Sequence, residues 1–267
     1  MNGNKLNTDW RKTAAVIYNK PSDSKILGSV EVDVTDLEVF INEQRAKGLK
    51  ITMTHFFMLA AARAVRKDVP ELNTYIVRGN VRAHDSVTVS LAILQADGSM
   101  SSANVAHADE MNLNEVVSTL ENAIKERRKG FENNTTKNKQ ILAQIPYPFR
   151  KWILSVFKTL SIKWGVNLSF TGFSPKSFGS FILSNIGTLG LDIGYPALLP
   201  IANVSFVMIM GKVQKKPLVI NGEIVPRTVI TLGAAIDHRV ADASHAGLLF
   251  KSLKHYVNNP HQLLERQ

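Results

Sequence analysis

The order of strand-like and helix-like segments limits the fold of this chain more than any other feature of its sequence. In "LGSVEVDV" and "SVTVSLAIL" apolar residues alternate with polar ones, which is typical of half-buried β-strands. Between these strands the period becomes helical, and Thr35 and Glu38 have the spacing of a capping box that begins a helix ending near Gly48. A second helix is expected from about Thr54 to Pro70. This mixture predicts an α/β, two-layer sandwich with a mixed sheet and flanking helices.

The rest of the chain continues the mixture without a sign of a domain boundary. The predicted elements are hairpin turns at Gly79-Asn80 and Asn221-Gly222, a charged helix at about 113–129, strands in "SFGSFILSNI", "VSFVMIMGKV" and "TVITLGAAI", and a last helix at about 244–258. We therefore expect residues 1–267 to form a single domain.

Composition excludes several kinds of chemistry. The chain has no cysteine, which rules out disulfides, thiolate metal sites and a cysteine nucleophile, so a thiol in any reaction must come from a ligand. A net charge of +10 favours an anionic partner such as a phosphate-bearing cofactor, an acidic carrier protein or a membrane surface. We find no Walker loop, zinc spacing, Gly-x-Gly-x-x-Gly or RNA-recognition motif, and so expect no metal and no nucleic acid. The absence of an apolar signal region and of a membrane span predicts a cytoplasmic protein.

Residues 131–179 form the irregular part of the chain. Within them, 149–164 place large apolar residues, including Trp152 and Phe157, on one helical face, with lysines and an arginine elsewhere. The simpler interpretation is a helix that packs on the protein's own core. The alternative is a basic amphipathic face that is offered to a membrane surface or an acidic partner.

The stretch "TLGAAIDHRVADASHAGLLF" marks a candidate site, because a histidine follows an apolar strand and precedes a helix. His238 at this point can be held by backbone hydrogen bonds while its other nitrogen faces a cleft. Asp242, four residues later, has the simpler role of helix N-cap. The residues alone leave a structural and a catalytic histidine both open.

The motif His238-Arg239-Val240-Ala241-Asp242 resembles the His-x-x-x-Asp-Gly motif of the acyltransferase core component of 2-oxo acid dehydrogenase complexes, the dihydrolipoamide acyltransferases. Chloramphenicol acetyltransferase, which shares that fold, has the same motif. The segments "VEVDVTDLEVF", "KITMTHFFMLAAARAVRKDVPELNTYI" and "SFILSNIGTLG" resemble successive parts of the same catalytic domain, and "DWRK" and "NLSFTGFSPKSFGSF" resemble the chloramphenicol enzyme. The resemblance covers residues from about 9 to 262, and it makes 131–165 an atypical insert.

The resemblance implies roles for five residues. His238 would be the general base that takes the proton of a coenzyme A or dihydrolipoamide thiol, and Ser184 would donate to the oxyanion of the tetrahedral intermediate. Asp242 would support the histidine loop by pairing with an arginine, for which Arg11 is the candidate. Ala243 stands where the family has glycine, which would strain the loop only if that position needs a positive φ.

The resemblance also implies an assembly and a reaction. We expect a homotrimer with active sites between subunits, and a stand-alone transferase that moves an acyl group between acyl-CoA and a thiol acceptor. We expect no covalently bound lipoyl group, because the sequence has no lipoyl or peripheral subunit-binding domain; an acidic carrier protein or a lipoyl protein would then be a partner. The alternatives left open are an O-acetyltransferase of a small hydroxyl compound and a catalytically silent trimeric scaffold.

Overall fold

The structure of the protein, a computed structural model, describes residues 24–94, 100–128, 146, 149–166, 176–198 and 202–266. Its helices are α1 (Thr35–Ala46), α2 (Met53–Lys67), α3 (Leu113–Arg128), α4 (Phe149–Lys158) and α5 (Ala243–Asn258). Its strands are β1 (Lys25–Asp33), β2 (Thr74–Val77), β3 (Asn80–Ala83), β4 (Val89–Leu94), β5 (Met100–Val105), β6 (Phe181–Asn185), β7 (Phe206–Met210), β8 (Gln214–Ile220) and β9 (Glu223–Asp237).

Within these described residues, seven strands form one mixed sheet. The strand order is β1-β9-β7-β6-β4-β5, and β8 pairs with the first part of the long β9. Strands β4, β6 and β7 are parallel to one another, whereas β9 runs antiparallel to β7 and to β1. The C-terminal end of β9 therefore lies at the same end of the sheet as the first residues of β6 and β7.

The two faces of the sheet differ, because residues along each strand alternate between them. Phe181 and Leu183 of β6 belong to the main core, which they share with buried side chains of α1, α2, α3 and α5. Ile182, on the opposite face, belongs to a small second cluster with Val207. The helices thus cover one face, which gives the expected two layers of mixed sheet and flanking helices.

Helix α2 lies at the centre of the main core, and all of its residues from His55 to Val65 are buried. Arg63 is only 1% exposed, and its guanidinium donates to the backbone carbonyls of Met111, Gln262 and Glu265. This side chain therefore ties the end of the chain to the connection before α3. Burial lowers the pKa of Arg63, because desolvation disfavours the charged form.

The small hairpin β2–β3 packs a second buried polar side chain. The His84 ring lies 4.7 Å from the Tyr75 ring, and its Nε2 has no hydrogen-bond partner among the described residues. Burial lowers the pKa of His84 to about 4, with Lys176 adding to the effect and Asp85 opposing it. His84 is therefore a neutral histidine at physiological pH.

Three expectations about local structure are wrong. The first is the capping box of α1: Val34 is the N-cap residue, while Thr35 Oγ1 donates to Asp33 and accepts from the Thr228 amide. Tertiary contact with β9 therefore takes the hydroxyl that the sequence pattern assigned to the helix. The second concerns β5: its sequence "MSSANV" has few apolar residues and predicts no strand, but pairing with β4 makes it one. The third is the turn at Gly79-Asn80: Val77 pairs with Asn80, so the turn residues are Arg78 and Gly79.

The amphipathic stretch at 149–164 forms α4 followed by a π-helical turn, Thr159–Lys163. Phe149, Trp152 and Trp164 are exposed, so the expectation that this face packs on the protein's own core is wrong for these side chains. Arg11 and residues 131–145 of the expected insert lie outside the described residues.

Candidate active site

The end of β9 holds His238 in a short loop before α5. The backbone amide of His238 donates to the Ser24 carbonyl at 2.7 Å, which continues the pairing of β9 with β1. Its side-chain Nδ1 lies 3.1 Å from the Ala241 carbonyl oxygen and 3.2 Å from Asp242 Oδ1. Backbone and side chain are thus both fixed, as expected for a histidine at the end of a strand.

These contacts determine which ring nitrogen carries the proton. A carbonyl oxygen and a carboxylate oxygen accept hydrogen bonds and do not donate them, so both neighbours of Nδ1 favour a hydrogen on that atom. In the neutral imidazole Nε2 then keeps its lone pair. The His238 side chain is 56% exposed in the single chain, so the ring is accessible to a ligand. This arrangement can act as a general base.

Asp242 has the N-cap position that the sequence predicts, and it also contacts His238. It is the N-cap residue of α5, and its backbone amide donates to His245 Nδ1 at 2.9 Å. Its carboxylate contacts the His238 ring. The expected pairing of Asp242 with Arg11 stays a prediction, because Arg11 lies outside the described residues.

An ion pair between Asp237 and Arg239 supports the same loop, and the sequence analysis did not predict it. The buried carboxylate of Asp237 accepts from the backbone amide of Arg239 at 3.0 Å and from its Nε at 2.9 Å. This hydrogen bonding raises the pKa of the Arg239 guanidinium. Asp237 and Arg239 flank His238 in the sequence, so their contact holds the backbone on both sides of the histidine. The Asp-His-Arg run is therefore the sequence pattern that could have indicated this pair.

Ala243 is the first residue of α5, and its side chain is exposed. It is not among the residues with positive φ, so the loop does not need the glycine that the family motif has there.

Ser184 lies near the end of β6, on the face of the sheet that the helices do not cover. Its neighbours Leu183 and Asn185 face the helices: Leu183 is in the main core, and Asn185 Nδ2 donates to Thr54 Oγ1 at 3.0 Å. In the part of the chain that the structure describes, no side-chain hydrogen bond of Ser184 is found, so the strand-end serine is not engaged by nearby backbone.

The segment after Ser184 crosses the face of the sheet that α1, α2, α3 and α5 do not cover, and its backbone lies very close to the backbone of the sheet. A Cβ added to Gly211 of the β7 end would lie 1.9 Å from the Asp192 carbonyl oxygen, and one added to Gly233 of β9 would lie 2.4 Å from the Gly194 oxygen. Glycine is required here for close approach of the backbone rather than for a turn. The segment exposes four large apolar side chains, namely Leu189, Leu191, Ile193 and Tyr195.

The structure does not bring Ser184 and His238 of one chain together. Pairing across the sheet aligns Ser184 with Ile209 and Ile209 with Gly233, while His238 lies further along β9. Two strand spacings of about 4.8 Å and five residues at about 3.3 Å each separate their Cα atoms by about 19 Å. A site that uses both residues must therefore take them from different chains.

The described residues show no group of three or more His, Asp or Glu side chains that could hold a metal ion. They also contain no helix that is long and apolar enough to cross a membrane.

Comparison with solved structures identifies the fold. A dihydrolipoamide acetyltransferase of Azotobacter vinelandii, solved in work on the role of a serine, a histidine and an asparagine in its catalytic mechanism, superposes with a TM-score of 0.66 at 18% identity, over 91% of this chain and 85% of that chain. A chloramphenicol acetyltransferase superposes with a TM-score of 0.50 at 14% identity, over 88% of this chain and 89% of that one. The fold is the chloramphenicol acetyltransferase-like α/β fold of acyltransferases.

A family model identifies the family to which the chain belongs. The model of the 2-oxoacid dehydrogenases acyltransferase catalytic domain matches residues 11–138 and 175–265, so the chain belongs to that family of acyltransferases. The unmatched residues, 139–174, overlap the expected insert. The resemblance seen in the sequence is thereby confirmed.

Among curated proteins, the succinyltransferase component of the mitochondrial 2-oxoglutarate dehydrogenase complex 1 of Arabidopsis thaliana is 24% identical over 239 residues, which are 88% of this chain and 42% of that protein. The chain spans about half the length of the curated relatives that it matches over most of its own sequence.

Proposed function

We propose that this chain is a coenzyme A-dependent acyltransferase that moves an acyl group between acyl-CoA and a dihydrolipoamide-type thiol, with His238 as general base. The single observation that carries the proposal is the environment of His238 Nδ1, which leaves the lone pair on Nε2. Membership of the acyltransferase family supplies the reaction class.

In the proposed reaction, His238 Nε2 takes the proton of the attacking thiol as its sulfur forms a bond to the acyl carbonyl carbon. An imidazole with an ordinary pKa of about 6.5 can accept a proton from a thiol of pKa about 8.5, a step that is uphill but small. The tetrahedral oxyanion then collapses and breaks the bond between carbon and the donor sulfur. The departing thiolate receives the proton from His238, so the base is regenerated and no metal is needed.

Ser184 of a neighbouring subunit would donate its hydroxyl to the oxyanion. Three observations support this assignment: the separation of the two residues within one chain, the position of Ser184 on the face that the core helices do not cover, and the exposed apolar side chains of the segment that follows β6. We infer a homotrimer with one site at each interface, because a cyclic assembly gives every subunit the same two contacts. The Azotobacter enzyme was studied for a serine, a histidine and an asparagine; Ser184, His238 and Asp242 would be this chain's set, with aspartate as the third member.

Asp242 would be a positioning residue in this mechanism. Its carboxylate holds the His238 ring and stabilises the imidazolium that forms during proton transfer. The Asp237–Arg239 pair would fix the backbone of the same loop.

The test is release of free coenzyme A from acetyl-CoA and succinyl-CoA, with dihydrolipoamide, chloramphenicol and an acyl carrier protein offered in turn. His238→Ala should lower turnover by ~10²–10⁴, while His255→Ala, which removes an exposed histidine of α5, should leave it unchanged. Turnover with chloramphenicol alone would favour the O-acetyltransferase. Absence of both turnover and acyl-CoA binding would overturn the proposal in favour of the silent scaffold.

A further inference from the structure

Helix α4 and the turn after it carry large apolar side chains that the described residues leave exposed. Phe149, Trp152 and Trp164 are 64%, 67% and 59% exposed, and Val156 is 36% exposed. These four residues are called the α4 surface below. Phe149, Trp152 and Val156 have the spacing of one side of the helix, so their side chains form a continuous stripe.

The α4 surface is attached to the fold through backbone contacts near its C-terminal end. The Lys163 carbonyl accepts from the Arg78 amide at 2.7 Å, and the Trp164 carbonyl accepts from Arg78 Nε at 3.0 Å. Gly165 lies so close to Val77 that an added Cβ would be 2.5 Å from its Cγ1. The hairpin β2–β3 therefore holds the end of the segment while the aromatic side chains stay accessible.

The charge of the chain is concentrated in the same part of the sequence. Residues 127–164 contain nine Lys and Arg residues and one acidic residue, a net charge of +8 out of +10 for the whole chain. No acidic residue occurs in 149–164, which contain Arg150, Lys151, Lys158 and Lys163. A partner of this segment must therefore be anionic and must also offer an apolar layer.

The model of the acyltransferase family does not match the residues of the α4 surface. That model leaves residues 139–174 unmatched, and the surface contains neither His238 nor Ser184. The α4 surface is therefore separate from the proposed catalytic residues.

We propose that the α4 surface docks the protein on an anionic lipid bilayer. The aromatic side chains would enter the boundary between headgroups and acyl chains, where tryptophan is favoured, and the cations of the segment would meet lipid phosphates. No helix of the described residues can cross a membrane, so α4 would lie in the plane of the surface. A polynucleotide would match the charge but would offer no apolar layer to Val156.

The test is sedimentation of the full chain with vesicles of phosphatidylcholine alone and of phosphatidylcholine with phosphatidylglycerol. The chain should partition at least tenfold more strongly to the anionic vesicles, and 0.5 M NaCl should weaken that binding because salt screens surface charge. Replacing both tryptophans, Trp152→Ser with Trp164→Ser, should weaken partitioning by at least tenfold. In wild type, tryptophan emission should shift to shorter wavelength on binding.

Val219→Ser with Ile224→Ser is the matched control, since these side chains are 69% and 76% exposed at the β8–β9 hairpin. This variant should bind anionic vesicles like wild type, and both double variants should keep wild-type circular dichroism and acyl-CoA turnover. The proposal is overturned if wild type does not sediment with anionic vesicles, if the tryptophan variant sediments equally well, or if only a polynucleotide or an acidic protein is bound. Turnover in solution reports on the acyltransferase proposal separately.

Discussion

Mixed oligomers of two inactive variants would test whether the active site is shared between chains. Ser184→Ala removes the oxyanion donor, which should lower turnover by ~10²–10³, and His238→Ala removes the base. Neither variant chain can form a complete site by itself, because the sheet places Ser184 and His238 of one chain about 19 Å apart, at opposite ends of the sheet. In a mixed trimer, His238 of one variant can meet Ser184 of the other.

The expected magnitude follows from the geometry of a ring. If two differently tagged variants assemble at random from equal amounts, about three quarters of the trimers are mixed, and each mixed trimer has one complete site in three. About a quarter of all sites should then be complete, so turnover should reach about 25% of wild type, well above the ~1% or less of either variant alone. Co-expression, purification of the whole population of trimers without selection for both tags, and the coenzyme A release assay measure this directly.

The control is a chain that carries both substitutions, co-expressed with wild type. A shared site again gives about a quarter of full activity, whereas a site within one chain gives about a half. The reasoning is refuted if the two single variants together are no more active than either alone while the control retains half.

Five further substitutions test individual contacts. Arg63→Met should lower the free energy of unfolding by about 3 kcal/mol, because three backbone carbonyls lose the donor that the buried guanidinium provides, and chemical denaturation measures it. The pKa of His84 is lowered from 6.5 to about 4, so between these pH values the unfolded state binds more protons and the folded state loses stability as the pH falls. From pH 7.5 to 5 the free energy of unfolding should therefore fall by about 2 kcal/mol less in His84→Phe than in wild type. An equal fall in both proteins, measured by urea titration at the two pH values, would contradict this. Gly211→Ala should unfold the chain or displace the segment beside the serine, whereas Gly247→Ala, where a Cβ meets nothing within 4 Å, should stabilise α5 by up to about 1 kcal/mol in thermal melts. Ala243→Gly, which restores the family residue, should not raise turnover, because that position is already helical; a rate increase would show that the loop is strained.

Sequence patterns predicted most elements of the fold because their signals are local. The hairpin at Asn221-Gly222 has positive φ at both residues, as its Asn-Gly pair predicts, and β9 and α5 follow the apolar periods of their segments. The polar strand β5 was not predicted from the sequence, because only its pairing with β4 makes it a strand. The α1 cap failed for a related reason: a distant strand competes for the Thr35 hydroxyl.

The sequence by itself determined the residue types of the candidate site and the family to which the chain belongs, because the His-x-x-x-Asp motif and the segments around it are read along the chain. Tertiary structure alone decided how they are arranged. The loop contacts place the imidazole proton on His238 Nδ1, and the antiparallel course of β9 separates His238 from Ser184. Strand direction and register are properties of the assembled sheet, so no local pattern encodes the distance between two residues that lie on different strands.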